Sequence, residues 1–513
     1  MRDLMTKTDA IKDEVQLRSF LKEFEAKWEE HSNISSKLSF ERMKTKKPNP
    51  RIGEMERELA KVFNMPQWPE LIDRFKDQVE DPRLRRQLEC YQEIILTQSV
   101  EGDPEIIRMR ESISDRIMAF NYPVDGEDHT ISDIRYILRY EEDRDRRKRA
   151  WMCDSDLAER LTGDMVAMYQ RRNQLSQEAG FAHWGDLALH IQGTGFTNAQ
   201  DLLQRLMDGT QGEYEQVINE KAEEFGLKGE LEPWDIQFLL DGGKGLDESY
   251  FPKSQLTPRL EAFANMHGVP MDKLGIKPTY IDIPWNGLCM RVGSRDNILI
   301  MCNPQDGYTF YSTMFHELGH GLHSALNSQP EFVFQREPSP SAESLAETFG
   351  YFTRYPEWLK DIGMSPSEIE VTLKAVVAPW LFFIRQRSAF GLFSFELYQN
   401  PGPELHSVLG EIDSKITGCR PYNTPKWSAS PWYLGLPSWH NYIVADMLAS
   451  QVHQALHKKF DRVYGNPEIV DFLKEEYMSL GTLVPWRKKL ENCTGSDLDT
   501  VALIEDIKQS VNS

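Results

Sequence analysis

Residues 309–327 read TFYSTMFHELGHGLHSALN, and His316-Glu317-Leu318-Gly319-His320 within them fits the metal-binding pattern HExxH. Residues four positions apart on a helix lie on the same face, so His316 and His320 can bind one Zn²⁺ ion together. Glu317 then faces the open coordination position, where a carboxylate can take a proton from water. The stretch therefore predicts a helix that carries a catalytic zinc site.

The third protein ligand must come from another part of the chain, because a catalytic zinc has three protein ligands and one open position. The metzincin pattern needs a glycine at 323 and a histidine at 326, but the chain has His323 and Leu326, which excludes that class. We interpret His323 as a packing or hydrogen-bonding residue. Thr309 or Ser312 is the expected cap of the helix, which should end at about residue 327.

A second helix after Pro338 and Pro340 contains two candidate glutamates. Ser341 is its expected N-cap, and Glu343 and Glu347 lie one turn apart on the same face. We assign Glu343 as the third ligand and Glu347 as the acceptor of the second ring N–H of a ligand histidine. Two alternatives stay open, namely the swapped assignment and a surface helix whose glutamates only balance its dipole.

Most of the remaining chain has the apolar periodicity of helices, interrupted by breakers such as residues 121–123 and 401–403. The most apolar segment, 375–384, is too short to span a bilayer and predicts a buried helix. The first apolar stripe consists of Val15, Leu17, Phe20, Leu21 and Phe24. The periodicity predicts a mainly α fold.

One region departs from the helical pattern directly before the zinc-binding motif. Two short apolar runs, 288–292 and 297–301, flank the turn 293–296. This arrangement is typical of a β-hairpin. We therefore expect a small β-hairpin or sheet beside the helix that carries His316 and His320.

The charge of the chain bears on its partners. It has 59 Lys and Arg against 80 Asp and Glu, which gives a net charge of −21. Such a surface repels phosphate backbones and anionic lipids, so we expect neither nucleic acid nor a membrane as partner. The run of alternating charges at 143–149 is interpreted as a solvated helix face.

The N-terminus and the cysteines bear on the cellular compartment. Residues 1–4 do not begin an apolar segment of the kind found in signal peptides. The six cysteines are scattered and include no CxxC pair, so we expect neither disulfides nor a cysteine zinc site. Both features predict a cytoplasmic protein.

The HExxH motif, followed 27 residues after His316 by Glu343-x-x-x-Glu347, resembles the helical gluzincin oligopeptidases. These include the angiotensin-converting-enzyme family and the thimet oligopeptidase/oligoendopeptidase F family, and the first is the more similar. The similarity runs in patches from about residue 140 to the end of the chain. Its other segments are 172–175, 180–181, 355–359, 380–385, 442–444, 451–456 and 485–487.

The resemblance implies a two-lobed helical ellipsoid with a deep central cleft and one Zn²⁺ at its floor. Residues 1–513 would form a single metallopeptidase domain, with most of the N-terminal lobe in 1–280 and the zinc-site region and C-terminal helices in 281–513. It also implies a hairpin edge beside the zinc helix, which can hold an extended peptide by strand addition. A narrow cleft would admit short unfolded peptides.

The families that the chain resembles place a histidine and one or two tyrosines on a late loop and helix, where they stabilise the oxyanion. Tyr442 matches the tyrosine, but the histidine position falls at Trp432, Tyr433 or Gly435. His440 lies close in sequence and could substitute, or it is an ordinary loop residue. The residues that hold a substrate C-terminus in the angiotensin-converting enzyme are not found, so its dipeptidyl carboxypeptidase specificity is not carried over.

Together these features predict a zinc-dependent metallopeptidase, either an oligopeptidase or peptidyl-dipeptidase-like, that cleaves short unfolded peptides. Glu317 would act as the base, and Tyr442, with His440 if it substitutes, would stabilise the oxyanion. The alternative is a catalytically impaired zinc-binding pseudo-peptidase or a peptide-binding protein, and a hydrolase of non-peptide amides is a third possibility. Endo- and exopeptidase action and the oligomeric state stay open.

Overall fold

The computed structural model describes residues 1–47, 49–227, 229–241, 246–281, 283 and 285–512. Helices dominate these ranges, which confirms the mainly α fold. The α-helices are α1 (Arg2–Met5), α2 (Glu14–Thr45), α3 (Pro50–Phe63), α4 (Gln67–Phe75), α5 (Pro82–Glu101), α6 (Pro104–Met118), α7 (Ile131–Tyr140), α8 (Arg144–Met152), α9 (Ser155–Glu178), α10 (Trp184–Ile191), α11 (Phe196–Gly209), α12 (Gln211–Glu224), α13 (Pro233–Asp241), α14 (Leu256–Met266), α15 (Tyr308–Leu326), α16 (Ser339–Gly350), α17 (Pro356–Asp361), α18 (Pro366–Gln399), α19 (Leu405–Thr417), α20 (Trp439–Lys459), α21 (Pro467–Glu476), α22 (Trp486–Thr494) and α23 (Val501–Asn512).

Short 3-10 helices and strands complete the secondary structure. The 3-10 helices are Thr8–Ala10, Glu248–Tyr250, Lys253–Gln255, Val333–Gln335, Tyr351–Arg354, Trp427–Ala429, Pro431–Tyr433 and Met478–Leu483. The strands are β1 (Tyr122–Val124), β2 (Glu127–His129), β3 (Ile276–Tyr280), β4 (Gly287–Arg291) and β5 (Ile298–Cys302). Within the described ranges, no helix combines the length and the apolar character that a bilayer crossing requires.

The chain divides into two compact units, each made of three segments. Unit 1 comprises Met1–Gly102, Asp247–Ser365 and Leu448–Leu498, and unit 2 comprises Asp103–Leu246, Pro366–Met447 and Asp499–Ser513. Helix α20 begins in unit 2 and ends in unit 1.

An aromatic core in unit 1 holds helices α2, α4 and α5 together. The rings of Trp68 and Tyr91 stack with centroids 4.7 Å apart, and Phe24 contacts Trp68 edge-on at 4.9 Å. Four members of the predicted α2 stripe are buried, but Val15 is 77% exposed, because it lies in the first turn of α2. Phe334, from the loop after α15, joins the same core, which anchors this loop.

A three-stranded sheet lies beside α15 in unit 1. Its order is β3-β5-β4, with β5 parallel to β3 and antiparallel to β4. The β4–β5 pair is the predicted hairpin, and β3 is an additional strand that the sequence analysis did not include. One face of the hairpin packs against Phe40 and Met43 of α2. The other face lies so close to α15 that a Cβ atom at Gly321 would lie 3.3 Å from Ile300.

Unit 2 is built around α18, which includes the predicted buried segment 375–384. Trp380, Leu381 and Ile384 of that segment are buried, as expected. The charged run 143–149 begins α8, and most of it is solvated as predicted, but Arg147 is not. Arg147 is 1% exposed and lies 2.9 Å from the buried carboxylate of Asp235, because this pair connects α8 to α13.

Candidate metal centre

The helix that carries the HExxH motif, α15, begins at least two residues earlier than the sequence indicated. Its N-cap is Gly307, whose positive φ of 130° suits glycine. Thr309 and Ser312 therefore lie inside the helix and do not cap it. The helix ends at Leu326, as expected. The second helix, α16, begins at Ser339 and not after Ser341, because a proline in the first turn fits a helix start.

Helices α15 and α16 bring the three predicted ligands together. Oε2 of Glu343 lies 3.3 Å from Nε2 of His316 and 3.6 Å from Nε2 of His320. One donor atom from each residue lies within 4.8 Å of the others. The three side chains are about one-fifth exposed. The three donor atoms are thus close enough to bind one ion, and the group is partly exposed to solvent.

A close approach of the two helices makes this convergence possible. A Cβ atom at Gly319 would lie 2.7 Å from Cα of Ala346 and 2.7 Å from the carbonyl oxygen of Leu345. Real side chains do not reach such distances, so only glycine fits at 319 in this packing. Glycine at this position therefore lets α16 lie against α15 with Glu343 beside both histidines.

Glu347 occupies the position next to His316 on the side away from Glu343. Nδ1–H of His316 donates a hydrogen bond of 3.1 Å to Oε2 of Glu347. The other carboxylate oxygen lies 3.6 Å from the guanidinium of Arg354. With Nδ1 engaged by Glu347, Nε2 is the ring nitrogen of His316 that would bind a metal ion. Arg354 was not among the residues indicated by the sequence.

Glu317 is the buried carboxylate of the site. Glu317 is only 5% exposed, and its Oε2 atom has no hydrogen-bond partner among the described residues. Burial raises the pKa of Glu317, and the charges of His320 and His316 oppose this shift in part. A Cβ atom at Gly287, the first residue of β4, would collide with Oε1 of Glu317. Strand β4 therefore approaches Glu317 through a residue without a side chain.

The charges of the site favour a cation. Burial raises the pKa of Glu343, but the charge of His320 and hydrogen bonds from both histidines lower it by more. The net result is a pKa well below the usual range for a glutamate. Burial lowers the pKa of His316, but hydrogen bonds to Glu343 and Glu347 outweigh this and raise it well above its ordinary value. Three carboxylates thus surround two imidazoles, which is an environment with an excess of negative charge.

The two residues predicted to stabilise the oxyanion lie in unit 2, whereas the three-residue group lies in unit 1. His440 is 2% exposed, and its Nε2 lies 3.1 Å from the amide oxygen of Gln192. Burial lowers the pKa of His440 to about 3. Tyr442 is half-buried, and its ring contacts Phe383 edge-on. The surroundings of His440 are those of a packed residue, and both catalytic roles stay predictions.

The sequence analysis missed Gly287, Arg354 and the partners of His323. Nε2 of His323 lies 3.5 Å from Oε1 of Glu337, which also accepts a hydrogen bond of 2.6 Å from Nζ of Lys489. A glycine next to an expected strand is a recognisable sign of close backbone approach, so the sequence could have indicated Gly287 as a contact position. Lys489 has no such signal, because its partner Glu337 is 152 positions away in the chain.

Comparison of the chain with protein-family models and with curated proteins finds no match in either set. The functional assignment therefore depends on the chemistry of the site and on the motif spacing.

Proposed function

We propose that this chain is a zinc-dependent metallopeptidase that hydrolyses peptide bonds in short, unfolded peptides. The observation that carries the proposal is the convergence of His316, His320 and Glu343, with the buried carboxylate of Glu317 beside them. Two imidazoles and one carboxylate are the protein ligands of catalytic zinc in His₂Glu peptidases.

The donor set fits zinc on chemical grounds. Imidazole nitrogen and carboxylate oxygen are both ordinary zinc ligands, and the surrounding excess of carboxylates favours a divalent cation. A structural zinc site has four protein ligands, whereas the group found among the described residues has three. The partial exposure of the three side chains leaves room for water and substrate. These features support a catalytic rather than a structural ion.

Each residue of the site then has a defined task. Zinc bound by His316, His320 and Glu343 would polarise the scissile carbonyl and make water more acidic. Glu317 takes the proton of the attacking water on its free Oε2 and later donates it to the leaving amine nitrogen. Burial raises the pKa of Glu317, which makes its carboxylate a better proton acceptor for the first step.

Strand β4 supports a peptide as the substrate. It is an edge strand in the order β3-β5-β4, and only its β5 side is paired within the part of the chain that the structure describes. An extended peptide that adds to this edge forms backbone hydrogen bonds that do not depend on its sequence. Because Gly287 lies against Glu317, the same peptide would run past the base.

With this function we propose membership of the helical gluzincin oligopeptidases, one zinc ion per chain and a cytoplasmic location. The spacing of HExxH and Glu343-x-x-x-Glu347 supports the family. The six free cysteines agree with a reducing compartment. Tyr442 is the proposed oxyanion-stabilising residue, by its match to the late helix of that family.

The substitution Glu317→Gln tests the proposal, because glutamine has the same size but cannot accept the proton. We expect kcat/KM on a fluorogenic peptide to fall by about 10²–10⁴-fold, the usual contribution of a general base. Zinc content, measured by atomic absorption on the same sample, should not change. Glu357→Gln, at an exposed position of α17, is the matched control and should keep full activity. Full activity of Glu317→Gln would reject the proposal.

A second candidate is a zinc-binding protein that holds peptides and has impaired catalysis. The buried position of His440 and its bond to Gln192 favour it, because no other histidine was found for the oxyanion position. The two candidates differ in one result. A zinc-loaded wild-type protein that binds peptides but releases them uncut would support the second candidate.

A further inference from the structure

A buried polar cluster lies behind the metal-binding helices, on the C-terminal side of α15. We call it the brace cluster and define it as His323, Glu337, Ser341, Tyr477 and Lys489. Lys489 of α22 is fully buried and donates from Nζ to Oε1 of Glu337 at 2.6 Å and to the carbonyl oxygen of Gly481 at 3.2 Å. Glu337 immediately precedes Pro338, the N-cap of α16. The Lys489–Glu337 pair therefore connects α22 to the N-terminus of α16, the helix that carries Glu343.

The remaining bonds of the brace cluster extend into α16 and α15. Oγ of Ser341 donates to Oε2 of Glu337 at 2.8 Å, and the hydroxyl of Tyr477 lies 3.1 Å from Oγ of Ser341. The same hydroxyl lies 3.4 Å from Oγ of Ser344, the residue after Glu343. His323, one turn after His320 on α15, lies 3.5 Å from Glu337. One carboxylate is thus bonded or close to residues of three helices.

The segment just before α22 also contacts the loop that connects α15 to α16. Nε2 of Gln329 donates to the carbonyl oxygen of Ser479 at 2.7 Å, and Oγ1 of Thr482 donates to the carbonyl oxygen of Val333 at 3.2 Å. A Cβ atom at Gly481 would collide with the carbonyl oxygen of Phe334, so the two backbones lie in direct contact. The C-terminal segment therefore holds both the loop and the start of α16.

The energetics of a buried ion pair indicate what the brace cluster does. Removing two charges from water costs about as much as their attraction returns, so such a pair adds little net stability. A directional network does specify register, because a slipped arrangement would leave a buried charge without its partner. A shift of α16 by one residue would rotate Glu343 by about 100° around the helix axis, away from both histidines.

We propose that the Lys489–Glu337 pair is a positioning device that sets the register of α16 against α15 and so holds Glu343 at the metal site. The inference rests on the proposed function, since it assigns Glu343 as a metal ligand. Lys489 and Glu337 are positioning residues that act through α16 and not through contact with zinc.

The test measures the zinc dissociation constant by competition with a chelating dye, and the melting temperature of the metal-free protein. Lys489→Met keeps the length of the side chain but cannot donate a hydrogen bond. We expect it to weaken zinc binding by about 10–100-fold, as loss of outer partners usually does at metal sites. Lys488→Met is the matched control, because Lys488 is the preceding residue of α22 and is 58% exposed. It should bind zinc like the wild-type protein.

Two further variants separate positioning from stability. In Lys489→Met/Glu337→Gln neither charge remains, so the melting temperature should recover while zinc binding stays weak. Tyr477→Phe removes only the hydroxyl that bonds Ser341 and Ser344, keeps the buried ring, and should weaken zinc binding by a smaller factor. If Lys489→Met does not fold, the zinc affinity of Tyr477→Phe tests the inference in its place.

The outcomes distinguish the inference from the proposed function. If the wild-type protein does not bind zinc, the proposed function is overturned and this inference with it. If the wild-type protein binds zinc and folded Lys489→Met, or Tyr477→Phe in its place, binds it equally well, only the inference is overturned. A zinc affinity that recovers with the melting temperature in the double variant also overturns it, because the pair would then act on stability alone.

Discussion

The substitution Gly319→Ala adds one methyl group at the closest contact between the two metal-binding helices. Its Cβ atom would lie 2.7 Å from Cα of Ala346, whereas carbon atoms make favourable contact from about 3.5 Å. Its three nearest neighbours are Cα and the carbonyl oxygen of Ala346 and the carbonyl oxygen of Leu345, all in the α16 backbone, so a side-chain movement cannot relieve the contact. The two helices must therefore separate by about 0.8 Å at this point.

A separation of this size affects zinc binding more than stability. Metal sites tolerate ligand displacements of about 0.2 Å, so moving α16 by several times that distance should weaken zinc binding by about 10–100-fold. Overpacking costs about 1–3 kcal/mol, but alanine is favoured over glycine inside a helix by about 1 kcal/mol. The two terms partly cancel, and we expect a small change in the free energy of unfolding of the metal-free protein.

The assay combines chelator competition for zinc with urea unfolding of the metal-free protein. Gly350→Ala is the control, because its Cβ atom would lie 3.6 Å from both His316 and Glu347, which is ordinary van der Waals contact. It should bind zinc normally. Wild-type zinc affinity in Gly319→Ala would refute the argument that this contact brings Glu343 to the histidines.

Three further predictions concern the carboxylates and His440. Glu343→Ala should abolish zinc binding measured by chelator competition, whereas Glu347→Ala should weaken it by about 10–100-fold, and the reverse order would exchange their roles. Burial raises the pKa of Glu337, but the charge of Lys489 lowers it to about 2, so the unfolded chain binds more protons between pH 4.5 and 2. The free energy of unfolding should fall as the pH drops through this window, and this component should be missing in Glu337→Gln when urea midpoints are compared. Because burial lowers the pKa of His440 to about 3, its ring should stay neutral at pH 5 by NMR, and titration near pH 6.5 would contradict its buried position.

Local patterns were sufficient for the elements that carry the site. The apolar periodicity, the proline breakers and the turn at 293–296 predicted α15, α16 and the β4–β5 hairpin. Strand β3 was missed because it contains Pro278 and pairs in parallel with β5, from which β4 separates it in sequence. A short strand of this kind has no local signal, since its stability depends on its partner.

Some details of the candidate site also could not be predicted from local sequence patterns. Periodicity places Glu343 and Glu347 on one face, but it does not say which of them lies between the histidines. That difference depends on how closely α16 approaches α15 at Gly319, which is a property of packing. The partner of Glu337 is Lys489, which is 152 positions away, so no sequence pattern connects them.

The most direct test of the central claim is mass-spectrometric product mapping on a mixture of short synthetic peptides. The wild-type protein is assayed as zinc-loaded protein, after chelation, and after zinc is added back. We predict cleavage that disappears with the chelator and returns with zinc, and the products show whether the enzyme trims ends or cuts internally. Intact peptides after incubation with zinc-loaded protein, or cleavage that the chelator does not reduce, would contradict the claim.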